Sequence, residues 1–190
     1  LFHVGVLIIF GGHFVGLLTP IEVFDAIGVS HGAKQVLAII AGGIAGAMAI
    51  VGALILLHRR VFDPRIRATS SFGDTAILAL LTAQLVLGLS TIPLSSQHLD
   101  GSEMVKFMAW AQGIFTFQPG AAAHISEVHW IFKAHLALGL TIFLVFPFTR
   151  LVHMLSAPIW YLNRRGWQLV RTRRDMGDQK SRARPSRGGR

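Results

Sequence analysis

Two stretches decide the fold: LFHVGVLIIFGGHFVGLLT, residues 1–19, and WIFKAHLALGLTIFLVFPFTRLVH, residues 130–153. Each is apolar over about the 20 residues that a membrane-crossing helix requires. Each also carries two histidines, His3 and His13 in the first, His135 and His153 in the second. An ionisable side chain at membrane depth is rare, usually faces the bundle interior and reads as functional. Neutral imidazole ligates iron through one ring nitrogen, while the other donates to a backbone carbonyl that fixes its orientation. A single such histidine is as readily a hydrogen-bonded interior residue. Two helices with two each point to two haems held across a membrane.

Residues 34–57 and 75–93 form two further apolar runs, and the last run extends over 128–155, so the chain offers four spans. With 52% hydrophobic and 14% charged residues and a mean hydropathy of +0.55, its 190 residues describe an all-α protein of the lipid bilayer. The first run is no signal peptide: it lacks a charged opening, continues through Gly11, Gly12 and His13, and ends at Thr19 and Pro20 without a small-residue cleavage pattern. It also starts without Met, which leads us to expect sequence upstream. The absence of cysteine excludes covalent haem attachment, cysteine-held iron–sulfur clusters and disulfides. Any redox centre must rest on histidine.

The formal charge of +9 is unevenly placed. Arg59, Arg60, Arg65 and Arg67 follow the second span and residues 164–190 are densely basic, whereas the loops after the first and third spans carry Glu22, Asp25, Asp100 and Glu103. Positive charge stays inside, so the second and fourth spans should end in the cytoplasm, with both ends of this chain on that side of the inner membrane. The arginines read as topology signals and lipid-headgroup contacts, not as a nucleic-acid surface. Antiparallel spans then pair His13 with His135 at the outer level and His3 with His153 at the inner. At about 1.5 Å per residue these pairs are spaced roughly 15 Å on the first helix and roughly 27 Å on the last. Tilt and a kink at Pro147 must absorb the difference, for an iron separation of around 20 Å. Eighteen residues make close to five turns, placing His135 and His153 on one face, while His3 and His13 lie roughly 80° apart.

Glycines crowd the same helices, at Gly5, Gly11, Gly12, Gly16 and Gly139, and at Gly42, Gly43, Gly46 and Gly52 on the second span. Close helix packing explains many of them; beside His13 they also admit a flat macrocycle or a ring-shaped substrate. The loop 97–124 is too long for a simple turn, and its segment 102–117 reads as an amphipathic helix on the outer interface. His31, His58, His98, His124 and His129 lie in loops or at boundaries and read as structural or solvated. We expect a transmembrane domain over 1–171 and a basic, disordered cytoplasmic tail over 172–190.

LFHVG at 1–5, GGHFVGLLTP at 11–20, IPLSSQHLDGSEM at 92–104 and FPFTRLVH at 146–153 together closely resemble the gamma subunit of membrane-bound respiratory nitrate reductase, from residue 1 to about Arg173. The resemblance implies a dihaem cytochrome b with two haem b groups, His13 and His135 ligating the distal one and His3 and His153 the proximal one. It implies five spans, the first upstream of residue 1. It places quinol beside the distal haem, with Lys34 at the pocket and Gly12 and His13 as the adjoining wall; from the residues alone, Lys34 reads as an anchor snorkelling to the outer surface. Electrons would pass from quinol to an iron–sulfur beta subunit and on to a molybdenum-containing alpha subunit. Alternatives are a quinone-linked cytochrome b of another reductase, such as one of sulfur metabolism, and a haem-free transporter whose histidines relay protons. Against the transporter, the chain has no inverted repeat or paired interrupted helices.

Overall fold

The computed structural model describes residues 1–154, and among the described residues there is no strand. The basic tail and the final residue of the fourth apolar run lie outside the described residues. Among the described residues seven α-helices follow in order: α1 (Phe2–Leu18), α2 (Ile21–Ala26), α3 (His31–Phe62), α4 (Pro64–Thr69), α5 (Phe72–Ser95), α6 (Ser102–Phe115) and α7 (Trp130–Val145). Their starts follow local chemistry. The Ser30 side chain accepts from the Ala33 amide, Asp63 accepts from Arg65 with Pro64 opening α4, and Ser71 and Asp74 form a reciprocal capping box. These caps sit in polar sequence beyond the apolar runs, which is why α3 and α5 are longer than hydropathy alone indicates.

The α3 and α5 helices and the segment Trp130–Phe148 are long and apolar enough to cross a membrane. The 17 residues of α1 stand at the lower end of the range of about 17–25 for a span. Large apolar side chains such as Leu7, Phe14, Leu37, Ile44, Phe143 and Leu144 are exposed on these helices. A water-soluble bundle of this size would turn such residues inward; a bilayer solvates them. The chain is an all-α membrane protein.

Within the unit Leu1–Val152, α1 packs on α3, α3 on α5 and α5 on α7. Small residues set how closely they approach. A Cβ on Gly5 would lie 2.6 Å from the Ala45 carbonyl oxygen, and one on Gly52 would lie 2.7 Å from the Phe2 nitrogen. On the next interface a Cβ on Gly46 would meet Leu89 Cδ2 at 2.7 Å. In hydrocarbon solvent, backbone approach of this kind replaces the hydrophobic effect as the source of helix association. Gly52→Leu is therefore expected to separate α1 from α3 and destabilise the subunit by about 2 kcal/mol or more, read as a lowered thermal midpoint of the purified complex in detergent.

The last apolar run departs from expectation. One helix was expected to carry both His135 and His153 on a shared face, with only a kink at Pro147. Instead the α-helix ends at Val145, a 3-10 turn covers Phe146–Phe148, Thr149 is extended (φ −121°, ψ 170°), and a second 3-10 turn covers Arg150–Met154. Pro147 has no N–H to continue the ladder, and its ring collides with the carbonyl four residues earlier, at Phe143. A count of α-helical turns thus does not relate His135 to His153. After the break, Arg150 Nε donates to the buried Asp74 carboxylate at 2.7 Å, and Arg60 Nη1 lies 3.9 Å from its other oxygen. This ion-pair cluster ties α3, α5 and the segment after α7 together at the arginine-rich end.

At the opposite end the segment expected to be an amphipathic helix forms α6, which packs on α1 and α3. Gln112 Nε2 donates to the carbonyls of Leu17 and Thr19, 3.1 Å each, fastening α6 to the end of α1. Gly101 opens α6 with φ +84°, and a Cβ there would lie 2.6 Å from His31. Only glycine meets both conditions.

Candidate functional site

α1 and α7 meet far less closely than the neighbouring pairs of long helices, and across the space between them His13 faces His135. The ring centroids are 6.1 Å apart with the planes tilted by 42°. His13 Nδ1 lies 2.8 Å from the Ile9 carbonyl one turn back in α1. A carbonyl can only accept, so Nδ1 carries the proton and Nε2 is left with its lone pair. This is the arrangement that orients a metal-ligating imidazole.

His135 is held by α5. Gln84 Nε2 donates to the His135 carbonyl at 3.0 Å and lies 3.4 Å from His135 Nε2. His135 Nδ1 is buried and has no hydrogen-bond partner among the described residues. The ring lies against Gly88, where a Cβ would stand 3.0 Å from His135 Cε1. On the facing helix a Cβ added to Gly11, Gly12 or Gly16 would meet nothing within 4 Å. The flank of α1 around His13 is therefore smooth and uncrowded.

These residues fit a haem. An iron at about 2 Å from each ring nitrogen, a typical imidazole–metal length, needs the two nitrogens about 4 Å apart. Rings 6.1 Å apart between centroids meet that spacing when their nitrogens face each other. The buried His135 Nδ1 without a partner and the open glycine flank beside His13 are compatible with such a group.

Residues 1–173 match the family model of the nitrate reductase gamma subunit. The chain belongs to that family. It is 51% identical over 173 residues to the respiratory nitrate reductase 1 gamma chain of Escherichia coli, covering 91% of this chain and 76% of that one. To the respiratory nitrate reductase 2 gamma chain of the same organism it is 50% identical over 174 residues, 92% and 76% of the two chains. To the nitrate reductase gamma chain of Bacillus subtilis it is 39% identical over 164 residues, 86% and 73%. A gamma subunit is one part of an oxidoreductase complex, so this chain is a multi-pass membrane subunit of a nitrate reductase.

The remaining residues singled out in the sequence fall as follows. His3 is on α1, ten residues from His13, its ring edge-on to Phe2 at 5.5 Å. His153 lies in the last 3-10 turn, Arg150–Met154. Lys34 stands one turn inside α3, and it is buried rather than snorkelling, with 7% exposure. Its Nζ lies 2.7 Å from Met108 Sδ of α6 and 3.7 Å from the centroid of the Phe24 ring of α2. Gln35 beside it is also buried and donates to the carbonyls of Ser95 and His98.

Three of the other histidines have local neighbours: His31 Nε2 lies 3.3 Å from Asp25 Oδ1, the His58 ring is 4.7 Å from that of Phe62 and tilted by 36°, and His129 Nδ1 caps α7 by accepting from the Ile131 amide. At the start of α6, the Ser102 hydroxyl and amide hold the Asp100 carboxyl below the usual carboxylate range, and Glu103 raises Lys106 above the usual amine range. Sequence reasoning missed Gln84, Phe24 and Met108. Gln84 had a signal, because it is a lone amide midway along an apolar span; Phe24 and Met108 are ordinary apolar residues whose position only the fold supplies.

Proposed function

We propose that this chain is the quinol-oxidising, dihaem cytochrome b subunit of its nitrate reductase. His13 and His135 would hold the distal haem b, and His3 and His153 the proximal one. The observation that carries the reading is the facing pair of imidazoles from α1 and α7 at 6.1 Å. When bound, the haems would supply one-electron redox chemistry, and His13, His135, His3 and His153 would hold them within the bundle.

The quinol site lies at the α6 end of the bundle, formed by Lys34, Gly12 and His13. Gly12 leaves the wall beside His13 free for a flat ring. The Lys34 ammonium, partly stripped of water, stabilises negative charge on a quinol oxygen as its first proton leaves. By the distribution of arginines this end faces outward, so protons are released outside while electrons move inward, and a potential builds across the inner membrane.

The chain has no cysteine and therefore cannot itself hold iron–sulfur clusters. An iron–sulfur beta subunit is the electron acceptor at the arginine-rich end, with a molybdenum-containing alpha subunit beyond it. Arg59, Arg60, Arg65 and Arg67, at the end of α3 and on α4, would offer that assembly a basic surface to dock on. The test is to purify the chain with its partners, quantify haem and assay quinol-dependent nitrate reduction. Two low-spin b haems per gamma subunit, both reduced by quinol, are expected. A preparation with no haem bands in the reduced-minus-oxidised spectrum would return the chain to the proton-relay reading.

A further inference from the structure

We propose that Met108 of α6 is a displaceable partner for Lys34, its thioether giving way to the hydroxyl oxygen of a docking quinol. The inference rests on the quinol reading above and adds the residue that sets how readily Lys34 can be engaged.

A buried ammonium is normally compensated by a carboxylate or by several strong acceptors. Lys34, 7% exposed, has instead a thioether at 2.7 Å and the face of Phe24 at 3.7 Å. A thioether is a weak acceptor, and an aromatic face attracts a cation without directing it. The carboxylates of the flanking segments have other neighbours: Asp25 Oδ1 lies 3.3 Å from His31 Nε2, Asp100 accepts from the Ser102 amide and hydroxyl, and Glu103 accepts from Lys106. Among the described residues no carboxylate ion-pairs with Lys34.

The backbone around it is firmly held. Gln35 is fastened to Ser95 and His98, and α6 to the end of α1 through Gln112. Only the ammonium end of Lys34 is loosely held. Met108 is itself fully buried, at 1% exposure, yet methionine is unbranched and flexible enough to move aside. A quinol oxygen is the stronger acceptor, so exchanging sulfur for oxygen favours docking. Met108 is on this view a positioning residue, tuned to hold the cation weakly.

The test uses the full complex in membranes with tetramethylhydroquinone as donor, together with isothermal titration of tetramethylquinone. Substitutions at Met108 should shift the KM in opposite directions according to how well the new side chain accepts. Met108→Leu, which removes the competitor, should lower KM about twofold; Met108→Gln should raise it about threefold, and Met108→Glu about tenfold, with the dissociation constant moving in parallel. Where Met108→Glu fails to assemble, the Leu and Gln pair carries the comparison.

In a Lys34→Ala background the difference between Leu and Gln should vanish. If KM rises for Leu as well as for Gln, or the difference survives without Lys34, Met108 is only packing and the proposal is overturned. If Lys34→Ala alone leaves KM and kcat unchanged, the quinol reading itself has failed, which is a separable result.

Discussion

Replacing His13 with alanine is expected to remove one of the two haems and leave the other. His13 is the more sharply oriented of the two proposed ligands: its Nδ1 proton is committed to the Ile9 carbonyl, which points the Nε2 lone pair away from its own backbone, and the facing ring belongs to His135. Alanine at this position leaves His135 without an opposing imidazole, and a haem bound from one side only would lose its low-spin character. The haem content of the purified complex should fall by about half, and a redox titration should lose one of two components. Quinol-dependent nitrate reduction should drop by at least about a hundredfold, beyond the 10–100-fold seen when only a supporting residue of a metal site is lost. Electrons from a dye that donates to the remaining haem should still reach nitrate. His124→Ala is the control, since that side chain is exposed in the 3-10 turn Ala121–Ile125, and it should keep both haems. If His13→Ala also keeps both, the distal pairing is wrong whatever the activity does.

How much of this was legible in the chain depends on how local the cause is. The long helices were, because their apolar runs and caps act within a few residues. The meeting of His13 and His135 was also legible, since antiparallel spans of similar length bring the end of the first beside the start of the last. The 3-10 turns after α7 were not: a proline inside a membrane helix can leave a kink or a break, and no sequence pattern connects Arg150 with Asp74, the charge 76 residues away that it meets after the break. Lys34 shows the same limit. Read alone, a lysine near a span boundary snorkels. It is buried here because α6 and the loop before it cover the end of α3, and that cover arises from backbone contacts at Gly32 and Gly101, where a Cβ would lie within 2.8 Å of Leu99 and 2.6 Å of His31.

Lys34→Ala is expected to leave both haems in place and disable quinol oxidation. A lysine held at 7% exposure against a thioether and an aromatic ring gives up hydration without gaining a countercharge, and a chain under selection for stability alone would favour methionine or leucine there. Alanine should therefore not unfold the subunit, and the thermal midpoint of the complex should stay close to that of the parent. Quinol oxidation, by contrast, develops negative charge on oxygen as the first proton departs, and a cation in a water-poor site is worth far more there than in solvent. Loss of one such stabilising group lowers kcat by about 10²–10³, and KM should rise as well if the ammonium also binds the ground state. Lys34→Arg should recover part of the rate, because it keeps the charge but spreads it over a wider, planar group. The decisive comparison is between two readouts on one sample: the haem spectrum and redox titration, which should match the parent, and steady-state quinol oxidation, which should not. A variant that lost haem and rate together would make Lys34 a structural residue of the α6 end. One that kept full rate would mean that the quinol docks elsewhere on the bundle.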